Sequence, residues 1–123
     1  MATRTAAIAL IARDALAEGE TRACEIDTPD GPRRLILINV NGSVRAYLNS
    51  CPHQGVRLDW QPGVFLDVAG EHLQCAMHGA LFRLTDGLCV AGPCAGRALH
   101  AVALTENDGW WAMAATPLPA RAR

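Results

Sequence analysis

Two short segments of this 123-residue chain carry a cysteine and a histidine almost side by side: Cys51-Pro52-His53-Gln54-Gly55 and Cys75-Ala76-Met77-His78-Gly79. Each puts a thiolate and an imidazole donor on one tight loop, with a glycine directly after the histidine or one residue later. Glycine there lets the backbone turn sharply and brings amide N–H groups close to whatever the side chains bind. Two sulfur and two nitrogen donors suit tetrahedral zinc, and they also suit an iron–sulfur centre with mixed ligands. Zinc ribbons and fingers usually pair Cys with Cys and His with His on each loop. Here each loop supplies one of each. That is the order needed when one iron takes two thiolates and a second takes two imidazoles.

The surrounding residues sharpen the choice. The first pair extends to C-x-H-x-x-x-x-L, from Cys51 to Leu58, and the second to C-x-x-H-x-x-x-F, from Cys75 to Phe82. A proline-containing segment, Gly92-Pro93, follows an Asp86-Gly87 turn. In these features the chain resembles the Rieske [2Fe–2S] iron–sulfur family, the Rieske-type ferredoxins in particular, over about residues 6–115. The resemblance implies an all-β, Rieske-like fold of small stacked antiparallel sheets, with the cluster held by two loops at one tip. It implies one [2Fe–2S] cluster, with Cys51 and Cys75 on the buried iron and His53 and His78 on the outer one, their imidazole edges facing solvent. It also implies a carrier of single electrons from a flavin-dependent reductase to a terminal oxygenase or other redox enzyme, without catalytic residues of its own. A second reading is the small Rieske subunit of a larger oxidoreductase, nitrite-reductase-like or a detached oxygenase domain. A third, outside redox chemistry, is a zinc-binding module using the same four ligands.

The sequence departs from the family in three places. The quinol-oxidising respiratory members carry a further cysteine in each loop, joined as a disulfide, where this chain has Val56 and Met77. Their serine and tyrosine hydroxyls toward the cluster sulfurs are matched here by Ala80 and Phe82, which have none. Each missing donor removes stabilisation of the reduced, more negative cluster, so the expected potential lies in the lower part of the Rieske range of roughly −150 to +300 mV. Those members are also membrane-anchored, and no apolar run here approaches the roughly 18–20 residues of a span. The second departure is length: 21 residues separate His53 from Cys75, more than is usual in Rieske ferredoxins. A longer hairpin within Arg57–Gln74, turning at Gly70, is expected there. The third is Cys89 and Cys94, which flank the proline segment and read as small buried thiols or a local disulfide rather than ligands. Apolar Val56, Leu81 and Pro93 are expected around the histidines as a small, weak docking surface of the electron-transfer kind.

The elements that must position these loops read as short strands. The chain is expected to be a single domain over 1–123, with the cluster-binding region at 51–96 and a loose tail at Thr116–Arg123. Thr21–Asp27 and Arg34–Val40 flank a Thr28-Pro29-Asp30-Gly31-Pro32 loop, and Asn41-Gly42 is a two-residue hairpin turn that wants positive φ twice. Val44–Asn49 alternates, with Val44, Ala46 and Leu48 on one face and Arg45, Tyr47 and Asn49 on the other. Leu99–Leu104 and Trp110–Ala114 read as a hairpin around Asn107-Asp108-Gly109, with one tryptophan ring inward and one outward. Helical propensity is confined to the short stretch Ala12–Ala17. Cys24, mid-strand, is expected in the core; His72 and His100 read as strand residues, not ligands.

Composition removes whole classes of function. Eleven positive and twelve negative charges leave a net charge of −1, without the basic stripe of a nucleic-acid binder. All the positive residues are arginine, so lysine and Schiff-base chemistry is excluded. There is no G-x-G-x-x-G motif for a dinucleotide and no facial triad for oxygen activation. At the N-terminus, the run Ala6–Ala12 after Arg4 and the small residues Ala15-Leu16-Ala17 mimic a signal peptide. The run is only seven residues long and Arg13-Asp14 interrupts it, so it reads as a first strand and the expected compartment is the cytoplasm.

Overall fold

The computed structural model describes residues 7–28, 31–50, 52, 58–59, 65–67, 69–75, 79–114 and 118. Ten strands make up the described architecture, and no helix occurs among these residues. The strands are β1 (Ala7–Ala12), β2 (Thr21–Thr28), β3 (Gly31–Val40), β4 (Ser43–Leu48), β5 (His72–Gln74), β6 (Leu81–Arg83), β7 (Cys89–Ala91), β8 (Ala101–Val102), β9 (Leu104–Asn107) and β10 (Trp110–Ala114). They form three antiparallel sheets: a terminal sheet β1-β10-β9, a central sheet β2-β3-β4-β8, and a small sheet β5-β6-β7. The expected all-β class is what the molecule has.

The near-continuous apolar run of β3 explains the stacking. Leu35 and Leu37 point to one side, into a core with Val44, Ala46 and Leu48 of β4 and Met113 of β10. Ile36, Ile38 and Val40 point to the other, into a second core with Tyr47, Phe82 and Cys75. A strand buried on both faces has no polar face to show, so its sequence does not alternate. The central sheet therefore separates two cores: one shared with the terminal sheet, one shared with the small sheet.

Turn chemistry fixes the register. Asn41 and Gly42 adopt φ of 55° and 84°, as the β3–β4 hairpin demands, and the ladder runs Val40↔Ser43 through Leu35↔Leu48. The Glu18 carboxylate caps this turn, accepting the N–H groups of Asn41 at 2.9 Å and Gly42 at 3.1 Å. The Ala12–Ala17 stretch forms turns instead of a helix, and Leu16 at 3% exposure plugs the terminal-sheet core. The loop expected at residues 28–32 is tighter than the sequence suggests, because Thr28 already pairs with Gly31 and Asp27 with Pro32.

One strand expectation is corrected. Leu99–Leu104 is not a single strand: Ala101–Val102 pairs with β4, while Leu104 opens β9 against β10. The chain changes sheets at Ala103, which sews the central and terminal sheets together. His100 consequently precedes β8 rather than lying within a strand; its carbonyl accepts the Leu48 N–H at 2.9 Å. The β9–β10 turn is Asp108-Gly109, with φ of 54° and 81°.

Candidate metal centre

The second loop grows out of the small sheet. β5 and β6 pair in the register His72↔Arg83, Leu73↔Phe82, Gln74↔Leu81. One rung further the Cys75 N–H donates to the Ala80 carbonyl at 2.9 Å, and the Gly79 N–H donates to the Cys75 carbonyl at 2.8 Å. Gly79 closes the turn at φ 68°. Cys75 is 0% exposed, against Ala80 and Phe82 in the same core. A thiolate in such surroundings is costly unless a cation shares its charge. His78 lies outside the described residues.

The first loop is held at its far side by a polar clasp inside the core. Asn49 Nδ2 donates to Asp59 Oδ1 at 2.7 Å, and Asn49 Oδ1 accepts the Leu58 N–H at 2.7 Å. Asn49 is 7% and Asp59 2% exposed, so one buried amide ties the entrance of the loop to its exit. Leu58, the leucine of the first motif, is fully buried in the core that holds Cys75 and Phe82. Both motifs thus converge on one core. Cys51 and His53 lie outside the described residues.

A third loop touches the other two. From β7 it runs through Gly92-Pro93 to Cys94 and returns by backbone bonds, Gly96 N–H to the Cys89 carbonyl at 3.1 Å and Cys89 N–H to the Arg97 carbonyl at 2.7 Å. Gly92, at φ 101°, lies so close to the second loop that a Cβ there would sit 2.8 Å from Ala80 Cα. Arg97 Nη1 donates to the Pro52 carbonyl in the first loop at 3.1 Å. Below the third loop, Tyr47 docks the small sheet on the central one. Its hydroxyl donates to the Leu84 carbonyl at 2.8 Å, and its ring allows no Cβ at Gly87, which would meet Cε1 at 2.9 Å. Burial pushes the Tyr47 hydroxyl up to about 12.

Residues 7–107 match the sequence profile of the Rieske [2Fe–2S] domain. The chain belongs to the Rieske [2Fe–2S] family. Its cofactor is therefore a [2Fe–2S] cluster, and the site's chemistry fits one: a cysteine buried at the base of a closed loop, two cysteine–histidine motifs, and a core common to both. No curated protein sequence matches at a significant level. Among solved structures, the Sphingomonas yanoikuyae B1 ferredoxin is 24% identical, with 91% of this chain and 100% of that one covered at a TM-score of 0.67. The ferredoxin of carbazole 1,9a-dioxygenase from Nocardioides aromaticivorans IC177 is 20% identical, over 89% and 98%, at 0.66. The terminal oxygenase of carbazole 1,9a-dioxygenase from Novosphingobium sp. KA1 is 21% identical at 0.72, over 95% of this chain but 32% of that one. These likenesses establish the Rieske fold.

Within that fold the remaining sequence expectations fall out as follows. Ala80 and Phe82, where the respiratory Rieske proteins carry hydroxyls, are both fully buried; Val56 and Met77 lie outside the described residues. Cys89 and Cys94 are buried thiols 3.3 Å apart between Sγ atoms, with no disulfide between them. Phe65–Asp67 runs back against His72–Gln74, with a turn at Gly70, as expected of a longer hairpin; Arg57 and Trp60 lie outside the described residues. His72 is a strand residue paired to Asp67, Nδ1 to Oδ2 at 3.3 Å. Burial works to raise the Asp67 carboxyl, but the N–H groups of Glu71 and His72 and the His72 ring hold it below its usual range. Cys24 is half-buried on β2 rather than in the core, and burial pushes its thiol up. Trp111 packs inward and Trp110 stays 47% exposed. Pro93 is exposed and Leu81 half-buried. Sequence reasoning missed Asn49, Asp59, Arg97 and Tyr47, which hold the loops without carrying any ligand motif.

Proposed function

We propose that this protein is a Rieske-type ferredoxin, passing single electrons from a flavin-dependent reductase to a terminal oxygenase or a related redox enzyme. Cys51 and Cys75 would hold one iron of the cluster, and His53 and His78 the other. When bound, the [2Fe–2S] cluster supplies a one-electron couple. The chain's own residues keep that couple in place. Asn49 and Asp59 fix the first loop, the Cys75–Ala80 and Gly79–Cys75 backbone bonds fix the second, and Gly92 and Arg97 brace both.

The observation that supports the reading is the similarity to ferredoxins, 91% of this chain matching 100% of the Sphingomonas protein. Among the described residues no helix is long and apolar enough to cross a membrane, in keeping with a carrier that diffuses between partners. The compartment that goes with this reading is a reducing one, the cytoplasm, where the cysteines would stay thiols. The terminal-oxygenase likeness supports the second reading, a Rieske domain working inside a larger oxidoreductase.

Rapid mixing separates the two. The reduced holoprotein is mixed with the oxidised terminal oxygenase of carbazole 1,9a-dioxygenase as a probe acceptor. Loss of one electron per chain, faster at low than at high salt, is the ferredoxin outcome. A reduced cluster that persists, in a protein that purifies in a stable complex with a catalytic subunit, is the outcome for the alternative.

A further inference from the structure

Cys89 and Cys94 bracket the loop that braces the other two, and neither belongs to the two cysteine–histidine motifs. We propose that they form a reversible dithiol–disulfide pair whose closure clamps the third loop onto the Cys75–Ala80 loop. The Sγ atoms stand 3.3 Å apart, so a bond of about 2.05 Å needs an approach of only about 1.3 Å. Cys94 Sγ now donates to Cys89 Sγ, and Cys89 Sγ donates to the Ala91 carbonyl at 3.1 Å. Between the two cysteines lie exposed Val90, Gly92 and Pro93, so the pair sits one residue beneath the surface.

Burial at 2% and 1% shields both sulfurs from protein disulfides, so the oxidant of the proposal is a small two-electron one, a hydroperoxide. One thiol, giving up its proton as it reacts, attacks the terminal peroxide oxygen, forming a sulfenic acid and releasing the alcohol, or water from hydrogen peroxide. The second sulfur then attacks the sulfenic sulfur, the S–S bond forms, and water leaves. Two thiol hydrogens and two electrons pass to the peroxide. A low-molecular dithiol reverses the change by exchange. The mechanical consequence follows from Gly92, whose backbone already touches Ala80 without room for a methyl group. Only this consequence rests on the Rieske reading; the sulfur chemistry does not.

The test uses iron-loaded protein carrying Cys24→Ser, so that the half-buried thiol cannot compete. Stoichiometric hydrogen peroxide is added, and the visible spectrum is followed throughout. Cleavage after Arg83 and Arg97 releases one peptide holding Cys89 and Cys94 and no other cysteine. The expected result is that this peptide becomes lighter by two hydrogen atoms and regains them with dithiothreitol. Cys89→Ser blocks the change, and the peptide covering residues 75–80 exchanges its amide hydrogens several-fold more slowly in the oxidised form. A peptide that stays dithiol, or a cluster that bleaches before the bond forms, overturns the redox pair. A disulfide that forms without slowing exchange at 75–80 overturns the clamp. A protein that takes up no iron fails the Rieske reading instead, and its peptide mass still reports on the pair.

Discussion

Gly92 and Ala80 belong to different loops, yet their backbones meet so closely that a Cβ on Gly92 would lie 2.8 Å from Ala80 Cα. The contact presses the proline-bearing loop against the loop that starts at Cys75. Gly92→Ala meets both this collision and the left-handed φ of 101°. Each costs about 1–3 kcal/mol. Gly96, at φ 91°, has nothing within 4 Å of a built Cβ, so Gly96→Ala meets the backbone strain alone. Thermal melting and iron content are expected to fall clearly in the first variant and modestly in the second. Equal losses would show that the loop–loop contact is unimportant.

Asn49 to Asp59 is the second relationship that shapes the site. Asn49→Ala removes the acceptor of the Leu58 N–H and one donor to the Asp59 carboxylate, at a cost of about 2–4 kcal/mol, since buried groups lose their partners. Asn49→Asp places a second carboxylate 2.7 Å from the first in a buried site, so its stability deficit is expected to be larger at neutral pH and to shrink as pH falls through the carboxylate range. Denaturant melts at pH 7 and pH 4 check the sign. A deficit independent of pH would contradict the clasp.

Tyr47 provides a prediction at the alkaline end. Its hydroxyl has an ordinary value of 10 and is pushed up to about 12 in the folded chain by burial. The folded state therefore holds the proton longer than the unfolded state. The associated stability is whole below pH 10 and is lost as pH rises from 10 through 12, up to about 2–3 kcal/mol. Tyr47→Phe should melt about 1 kcal/mol lower at pH 7, having lost the bond to the Leu84 carbonyl, and should lack the Tyr47 share of the alkaline decline. Parallel declines in both proteins would assign the alkaline loss to other groups.

The ligand set makes its own prediction. His78→Ala should lose the reddish-brown chromophore, while His72→Ala should keep it, because His72 sits on β5 and pairs with Asp67. Iron analysis and visible absorption of the two purified variants decide it. Equal loss in both would mean the four ligands are wrongly assigned.

Much of this was legible in residue types alone. The Asn41-Gly42 turn, the Rieske family motifs and the tryptophan orientation follow from local rules, and local rules suffice where a turn or a motif is contiguous. What escaped is non-local. Asn49 reads by alternation as a strand residue on the face of Arg45 and Tyr47, and nothing in its neighbourhood announces a partner at Asp59. Ala103 looks like the inside of a strand, because the switch between sheets is decided by which edge is vacant, not by the residue. Tyr47 shares the face of Arg45 in sequence, yet that face carries a second core that includes Phe82, Cys89 and Leu99, all more than 30 positions away.

The most direct test of the account is a spectroelectrochemical titration of the purified, metal-loaded protein. The account predicts a single one-electron wave in the lower part of the Rieske range of roughly −150 to +300 mV, because Ala80 and Phe82 offer no hydroxyl to the cluster sulfurs. A wave well into positive potentials would contradict the inference from the missing donors. No wave at all, in protein loaded with metal, would contradict the central claim and hand the site to zinc.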